Sequence, residues 1–445
     1  MDLNQLRKTA LEIFLAGVQA ANPEIAVKNY LTRSLPSNSL SIILSNGEQR
    51  TQAWSKIHLI AFGKAACTMA TAAQEILTSE PTLMTSPGIV VTNYENEKEV
   101  PHCQVFAAGH PTPDSNGYQA AQHIAQRVGE AKSGELVLVL ISGGGSALIP
   151  YPPSPVSLAD KITTTRLLLG CGATINQVNC VRKHLSQLKG GGLTRLAAPA
   201  DLHALILSDV IGDAVSAIAS GPTVADPTTF DEAVEVLNPV WQQVPETVRQ
   251  RLEAGKRGEI PETPKENDPI FANTDYTIIG SNSISVNALI EAAQEKGIKP
   301  RLYKDQLTGE ASQVAQDLVD FALKQERTEP MAILAGGETT VTLTQNPGMG
   351  GRNQEMSLAF ALAAREKGLR GDWVFLSGGT DGRDGPTNAA GGIVDPTTLT
   401  RIPHPENYLA NHDAYHALQQ GDALLQMGAT GTNVADLQVL LLLPT

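Results

Sequence analysis

The 445-residue sequence lacks the features that mark several protein classes. It has only four cysteines and no CxxC pair, which indicates neither a zinc knuckle nor a disulfide framework. A reducing compartment is therefore the default expectation, and we expect a cytoplasmic protein. The longest apolar runs, such as 136–141 and 437–443, are far shorter than the roughly 20 residues of a membrane span. We therefore expect no membrane association.

Positive charge is also scarce. Lys and Arg total 33 against 46 Asp and Glu, a formal net charge of −13, and the sequence has no Lys/Arg tract. Because a nucleic-acid surface needs clustered cations to face phosphates, the composition argues against nucleic-acid binding. An acidic protein can still bind an anion through backbone N–H groups and a few placed cations.

The N-terminus resembles an export signal only superficially. Arg7 and Lys8 precede an apolar stretch, but Glu12 interrupts it. The apolar spacing instead predicts an amphipathic helix whose buried face contains Leu6, Thr9, Leu11, Phe14 and Val18.

Short β-branched runs alternate with segments of helical period, which is typical of an α/β fold with a mostly parallel sheet. A length of 445 residues suggests two or three domains at about 150 residues each. Segment 250–268 is charged, contains prolines and lacks an apolar period, so we interpret it as a linker. We therefore predict two α/β domains, residues 1–265 and 266–445. The predicted strands are 57–62, 88–92, 136–141, 205–207, 276–280, 300–303, 331–335 and 373–377, and the predicted helices are 65–77, 116–131, 283–296, 309–325 and 353–366.

Three of the apolar strands run into glycine-rich turns: LVLVLISGGGSAL at 136–148, MAILAGGETTV at 331–341 and WVFLSGGTDGRDGP at 373–386. In an open parallel sheet, ligands bind beyond the carboxyl ends of strands, where such loops offer N–H groups to phosphate or carboxylate. One Gly-Gly pair can simply make a tight turn, but three pairs with neighbouring Ser or Thr favour a site. The loop residues predicted to contact cofactor are Ser142, Gly143, Gly144, Gly145, Ser146, Gly378, Gly379 and Thr380.

The common nucleotide-binding motifs are missing. The sequence has no GxxxxGK[ST] and no GxGxxG, which weakens a dinucleotide-binding interpretation. If a nucleotide binds, the nearest substitute for a phosphate loop is Ser142–Ser146. Ser142 and Ser146 also lack a GxSxG elbow, which argues against a hydrolase.

A few cations are well placed for an anionic ligand. Lys64 follows the strand 57–62 at the head of a helix, where a cation opposes the helix dipole and therefore suggests a function. Arg352 follows a glycine-rich loop, and its guanidinium suits bidentate recognition of carboxylate or phosphate. The patch from Arg182 through Lys183 to Lys189 could contact cofactor, or could be the glycine-capped end of a surface helix.

Acidic residues cluster where strands are predicted to end. They are Asp209, Asp213, Glu338, Asp381 and Asp384. Oxygen ligands without His or Cys spacing favour magnesium over zinc, although aspartates in glycine-rich turns are often only turn residues. His110, in a turn with two prolines, is either a ligand contact or a structural residue.

At these segments the chain closely resembles the glycerate 2-kinase family, whose second domain is called MOFRL. The resemblance spans Ala61 to Leu437. It rests on AFGKAA (61–66), AGHPTPD (108–114), LISGGGSAL (140–148), VNCVRKHLSQLKGGGL (178–193), LILSDVIGD (205–213), ASGPTVAD (219–226), GGETTV (336–341), GGRNQE (350–355), SGGTDGRDGPTNAAGG (377–392) and TGTNVADL (430–437).

The resemblance implies a Rossmann-like N-terminal domain, a MOFRL-type α/β C-terminal domain and an active site in the cleft between them. It also implies ATP- and Mg²⁺-dependent phosphorylation of the 2-hydroxyl of D-glycerate. The family's conserved lysine corresponds to Lys64 and its cleft arginine to Arg352, which we expect to hold the glycerate carboxylate or the γ-phosphoryl group.

The sequence allows more than one role for several of these residues. Asp209 is expected to accept the hydroxyl proton, and Asp213, Glu338 and Asp381 to hold the metal, although Asp209 and Asp213 could exchange roles. The alternative functions are an NAD(P)-dependent hydroxypyruvate reductase, since some relatives have carried that label, and a non-catalytic protein that binds a sugar-acid phosphate. The protein is expected to be a monomer or a homodimer.

Overall fold

A computed structural model describes residues 1–34, 37–78, 83–84 and 86–445. The chain forms two compact units. The N-terminal unit comprises Pro23–Ser208 and Asp213–Ile279, and the C-terminal unit comprises Met1–Asn22, Asp209–Gly212 and Gly280–Thr445. These limits differ from the predicted limits, 1–265 and 266–445, because the first helix joins the C-terminal unit and the later segment begins at Gly280.

Helices occur throughout both units. They are α1 Leu3–Ala20, α2 Pro23–Tyr30, α3 Ala66–Leu77, α4 Ser115–Gly129, α5 Gly145–Leu148, α6 Leu158–Gly170, α7 Ile175–His184, α8 Gly192–Ala197, α9 Phe230–Leu237, α10 Glu246–Lys256, α11 Asn282–Glu295, α12 Ala311–Leu323, α13 Arg352–Glu366, α14 Pro405–Ala410 and α15 Ala414–Gln420.

The strands form one three-stranded and two six-stranded sheets. They are β1 Leu31–Ser34, β2 Ser39–Ile43, β3 Gln49–Gln52, β4 Ile57–Phe62, β5 Gly88–Asn93, β6 Cys103–Ala108, β7 Leu136–Ile141, β8 Asp201–Leu207, β9 Thr274–Gly280, β10 Lys299–Leu307, β11 Met331–Gly337, β12 Trp373–Gly379, β13 Gly391–Val394, β14 Leu424–Leu425 and β15 Asp436–Leu442.

The six-stranded sheet of the N-terminal unit has the order β6-β5-β4-β7-β8-β9. The pairings β5–β6, β4–β5, β4–β7 and β7–β8 are parallel, which confirms the predicted parallel sheet. From β4 the chain first builds outward through β5 and β6, and then returns to the other side of β4 with β7. Ligands in open α/β sheets bind at such a reversal of strand order. Because Phe62 pairs with Ile141, the loops that follow β4 and β7 leave the sheet side by side.

The six-stranded sheet of the C-terminal unit is mixed, so the prediction of mostly parallel pairing is wrong here. Its order is β10-β11-β15-β12-β13-β14. Only β10–β11 is parallel. The late strand β15 inserts between β11 and β12 and runs antiparallel to both, and the pairings β12–β13 and β13–β14 are antiparallel as well. The register pairs Asp436 with both Gly337 and Gly379, so the ends of β11 and β12 meet at the start of β15.

The predicted N-terminal amphipathic helix is confirmed as α1. Its N-cap residue is Asp2, whose side chain accepts a hydrogen bond from Gln5 N at 2.8 Å. The buried face includes Leu6, Phe14 and Val18, whereas Leu11 is only partly buried. None of the helices within the described residues combines the length and the hydropathy that crossing a bilayer requires.

The segment 250–268 is part of the N-terminal unit, so its interpretation as a linker is wrong. Residues 250–256 belong to α10, where Leu252 is fully buried against the core. Further along, Glu262 Oε1 accepts a hydrogen bond from Phe230 N at 2.9 Å. A short helix that buries only a narrow face has few apolar residues. Their helical spacing is therefore hard to recognise in a charged sequence.

Candidate functional site

The loop after β4 is tied to the loop after β7. Lys64 N donates a hydrogen bond to Gly143 O at 2.8 Å, and Ala65 N donates to the buried Ser142 Oγ at 3.0 Å. The Lys64 side chain is exposed, and its ammonium makes no hydrogen bond or ion pair with another described residue. The backbone therefore holds Lys64 firmly while its charge remains available to a ligand.

Gly63 allows this junction because its backbone has φ +127°, and a Cβ there would lie 2.2 Å from Ser142 Oγ. We expect Gly63→Ala to lower the free energy of unfolding by about 3 kcal/mol or more, since strain and overpacking add. Gly47→Ala is the matched control, because Gly47 has φ +82° with nothing within 4 Å. Urea titration of both variants measures the difference, and equal losses of about 1 kcal/mol would contradict a clash at Gly63.

The Ser142–Ser146 loop offers unpartnered backbone donors. Gly144 has φ +85°, and the N–H groups of Gly143 and Gly144 make no hydrogen bond with a described residue. A Cβ at Gly144 would lie 3.1 Å from His110 Nε2 and 3.3 Å from Lys64 Cγ, so bare backbone lies beside a cation and an imidazole. Successive free N–H groups next to a lysine form an anion-binding arrangement.

His110 contributes a neutral ring to this group. Burial, and then the charge of Lys64, hold the pKa of His110 below its ordinary value. The imidazole is therefore uncharged at neutral pH and can donate one hydrogen bond and accept another.

A series of hydrogen bonds holds the C-terminal end of the Ser142–Ser146 loop. Ser146 Oγ lies 2.9 Å from Ser220 Oγ, and Ser220 donates to Asn179 Oδ1 at 3.1 Å. Lys189 Nζ donates to Ser146 O at 2.8 Å. The helix α5 that follows has only four residues and ends before Pro150, as expected from the prolines that come after it in the sequence.

Lys183, predicted to contact a cofactor, is buried in the N-terminal unit. Its ammonium donates to Asp226 Oδ1 at 3.2 Å, and both residues are more than nine-tenths buried. Although burial opposes ionisation of Asp226, Lys183 and hydrogen bonds from Thr228 lower the pKa of this carboxyl. The charge of Lys183 is thus already paired, and its cofactor role stays a prediction.

In the C-terminal unit, Arg352 begins α13 and forms a bidentate ion pair with Asp436. Its Nε and Nη2 donate to the two carboxylate oxygens at 2.6 and 3.0 Å, while Nη1 donates to Glu338 Oε1 at 2.6 Å. Burial raises the pKa of Asp436, and the guanidinium opposes that rise. Arg352 is one-third exposed, so part of the fork still faces outward.

The glycine-rich loop after β12 differs from the loop after β7. Gly379 N donates to Ala390 O at 2.8 Å and Thr380 N to Ala435 O at 3.0 Å. The expectation that this loop presents bare N–H groups therefore fails for Gly379 and Thr380. Gly378 lies inside the buried strand β12, and the roles of Gly378, Gly379 and Thr380 at a cofactor remain predictions.

Asp384 caps the start of α13. Its Oδ2 accepts from Gln354 N at 2.8 Å and its Oδ1 from Asn353 N at 3.2 Å. Burial raises the pKa of Asp384 to about 7, against these two backbone donors. The carboxyl thus fixes the direction in which α13, and with it Arg352, begins.

The predicted metal ligands are not brought together as one cluster. Within the described residues, no group of three or more His, Cys, Asp or Glu side chains could hold a metal ion. Asp213 belongs to the N-terminal unit, whereas Asp209, Glu338 and Asp381 belong to the C-terminal unit. Asp381 Oδ1 accepts from Arg383 N at 3.0 Å.

Sequence reasoning missed the partner of Arg352. Asp436 is the next-to-last residue of the segment TGTNVADL, and the signal was an aspartate that directly precedes a strongly apolar run, 437–443. It also missed Lys161 and Arg166, which α6 places near Arg182 and Lys189 in one cavity.

Comparisons with known proteins agree with this architecture. Residues 9–253 match a family model described as a domain of unknown function (DUF4147), and residues 331–436 match the MOFRL family model. A Pyrococcus horikoshii protein named glycerate 2-kinase is 40% identical, with 96% of both chains covered. An Agrobacterium vitis protein provisionally named a hydroxypyruvate reductase is 37% identical, with 98% of this chain and 94% of the relative covered.

A solved structure is similar over the full length. The crystal structure of a Thermotoga maritima glycerate kinase has a TM-score of 0.86 and 35% identity, with 99% of this chain and 100% of the other covered. Both the order of the two matched regions and the coverage of whole chains confirm the resemblance seen in the sequence. The chain therefore belongs to the glycerate kinase family that joins a DUF4147 region to a MOFRL region.

Proposed function

We propose that this protein is a glycerate 2-kinase, which transfers the γ-phosphoryl group of ATP to the 2-hydroxyl of D-glycerate and yields 2-phosphoglycerate and ADP. The observation that carries the proposal is 40% identity over 96% of both chains to a protein named glycerate 2-kinase. In this reaction a bond forms between the hydroxyl oxygen and the γ-phosphorus, and the bond from that phosphorus to the β–γ bridging oxygen breaks. The hydroxyl proton must also pass to a base during the reaction.

The loops after β4 and β7 supply charge stabilisation in this proposal. The ammonium of Lys64 and the N–H groups of Gly143 and Gly144 make no hydrogen bond with other described residues, so they are available to a ligand. Donors already in position when negative charge develops on phosphoryl oxygens are the main source of catalysis in phosphoryl transfer. We propose that these donors bind the oxygens of the phosphoryl group as it is transferred.

Arg352 is proposed to bind an anionic phosphate oxygen of ATP with the part of its fork that faces outward. Asp436 and Glu338 hold the guanidinium at 2.6–3.0 Å and so keep its orientation before substrate arrives. Such preorganisation removes rotamer entropy from the binding step. Asp209 is proposed to accept the hydroxyl proton.

Mg²⁺ fits the oxygen donors that are present, because an ATP site needs only one or two carboxylates besides the phosphates. Asp213 makes no hydrogen bond with a described residue, and Asp381 Oδ2 also lacks one, so either carboxylate can bind a cation. Glu338 is less available since Arg352 already binds it. When bound, the metal neutralises phosphate charge.

A coupled assay tests the proposed reaction. We expect ADP release from ATP to require both D-glycerate and Mg²⁺, and to fall to background when either is left out or EDTA is added. Phosphorus NMR of the product should show the 2-phosphate. Appearance of the 3-phosphate alone would contradict the regiochemistry and leave the kinase standing.

The same protein preparation discriminates the alternatives. Oxidation of NADH or NADPH by hydroxypyruvate, without ADP release, would contradict the kinase. It would instead indicate a hydroxypyruvate reductase, the activity for which the A. vitis relative is named. Tight binding of a phosphorylated sugar acid with neither reaction would indicate a non-catalytic binding protein.

A further inference from the structure

A basic cavity lies within the N-terminal unit, next to the glycine-rich loop. Its volume is about 180 Å³. Ser146 and the turn 111–113 form one side, and residues of α6 and α7 form another. Four cations line it: Lys161, Arg166, Arg182 and Lys189. No Asp or Glu is among the described residues that line it.

The four cations have no acidic partner among the described residues. Lys161 Nζ donates to the carbonyls of Arg182 at 3.3 Å and Leu185 at 2.8 Å, which are neutral acceptors. Lys189 Nζ likewise donates to the carbonyl of Ser146 at 2.8 Å.

The two arginines are less constrained than the lysines. The guanidinium groups of Arg166 and Arg182 make no hydrogen bond or ion pair with another described residue. Arg166 is exposed and Arg182 is half-buried, so both can turn toward a ligand in the cavity.

The cavity destabilises the protonated, positively charged forms of its two buried lysines. Burial, and then the charge of Arg182, lower the pKa of Lys189 to about 7. Burial and the neighbouring cations also lower the pKa of Lys161 well below its ordinary range. Buried charges in proteins are normally paired, so an anionic ligand would supply the missing counter-charge.

The size of the cavity selects a small ligand. Pockets for drug-sized molecules are roughly 300–1,000 Å³, so about 180 Å³ suits a small acid rather than a nucleotide. The lining also includes the hydroxyl groups of Thr112 and Ser146, which suit hydroxyl groups of a ligand.

The cavity lies beside the proposed phosphoryl site. A Cβ on Gly144 would lie 3.1 Å from His110 Nε2, and Pro111, the neighbour of His110 in the chain, lines the cavity. Lys189 binds the carbonyl of Ser146, the last residue of the glycine-rich loop. A small acid held here would therefore lie beside the donors assigned to the phosphoryl group.

We propose that this cavity binds the carboxylate of the small hydroxy acid substrate, with Arg182 and Arg166 as its charged donors and Lys189 as a third. This inference rests on the proposed function for the identity of the acid. It leaves Lys64 and the Gly143 and Gly144 N–H groups for the phosphoryl group.

Arg182→Gln and Arg166→Gln test the cavity, and Lys132→Gln is the matched control. Lys132 is an exposed cation of the same unit, with no side-chain partner among the described residues. We expect the KM for D-glycerate to rise about 10- to 100-fold in each arginine variant, because charge-assisted hydrogen bonds to the carboxylate are lost. The KM for ATP should stay within about twofold, and the control should match wild type. Circular dichroism and thermal melts verify that the variants fold, and Arg166→Gln keeps the test valid if Arg182→Gln does not fold.

An unchanged KM for D-glycerate in folded arginine variants would overturn the cavity and leave the kinase intact. If wild type releases no ADP with D-glycerate, the proposed function fails, and calorimetric titration then decides the cavity with D-glycerate, glycerol and inorganic phosphate as probes. Binding of D-glycerate that Arg182→Gln weakens, with no binding of glycerol, supports a carboxylate site. Binding of phosphate alone, or of none of the three, overturns it.

Discussion

Lys64→Met is expected to lower kcat for phosphoryl transfer about 100- to 1,000-fold, the effect of removing one preorganised donor from a developing anion. The Lys64 ammonium is exposed and has no partner among the described residues, so its removal leaves no unsatisfied group in the protein. The backbone hydrogen bond from Lys64 N to Gly143 O at 2.8 Å does not depend on the side chain and should persist. We therefore expect a large loss of rate with little change in stability.

Steady-state kinetics and thermal melts measure the two effects together. Lys132→Met is the matched control, since it removes an exposed lysine of the same unit without touching the loops after β4 and β7. A kcat for Lys64→Met within about threefold of the control would remove Lys64 from the transition state. A rise confined to the KM for ATP would instead make Lys64 a ground-state contact.

Arg352→Met is expected to lower the free energy of unfolding by about 3–5 kcal/mol, the usual cost of removing one partner from a buried pair. The cost arises because Asp436, fully buried, would keep its charge without the bidentate guanidinium. The double variant Arg352→Met/Asp436→Leu should recover most of the stability, because it removes the stranded carboxylate as well. Urea unfolding of the single and double variants measures this recovery.

The stability loss should depend on pH in a defined direction. Burial raises the pKa of Asp436 in the folded state, and losing Arg352 removes the charge that opposes this rise. A carboxyl with a raised folded pKa contributes full stability below about pH 4, its unfolded value, and loses it as the pH rises through the folded pKa. The deficit of Arg352→Met should therefore be larger at pH 8 than at pH 5.

Activity separates the binding role of Arg352 from its structural role. Arg352→Lys keeps the charge but loses the fork, and we expect kcat/KM to fall about 10- to 150-fold. The double variant should stay inactive although it is stable. Recovery of both activity and stability in the double variant would mean that Arg352 only neutralises the buried Asp436 and does not bind substrate. Arg365→Met is the control on the same helix, since its exposed pair with Glu406 should contribute at most about 1 kcal/mol.

Much of the N-terminal unit could be predicted from the sequence because its signals are local. β4 and β7 are fully buried apolar runs, and both have the predicted bounds. Each run leads into a glycine-containing loop, so Lys64 and Ser142–Ser146 were each predicted as ligand contacts. The physical reason is that the burial of a strand, its length and the type of turn that follows it all depend on residues that are consecutive in the chain. That the two loops are adjacent follows from the pairing of β4 with β7.

What only the tertiary structure decided depends on pairings between distant residues. The insertion of β15 between β11 and β12 places Asp436 opposite Gly337 and Gly379, and no local pattern encodes which strand takes that position. The same holds for the basic patch. Lys183 pairs with Asp226 in the interior while Arg182, one residue earlier, lines the cavity with Lys161. Consecutive helical residues point about 100° apart, so only the tertiary packing around α7 determines which cation is neutralised and which remains available to a ligand.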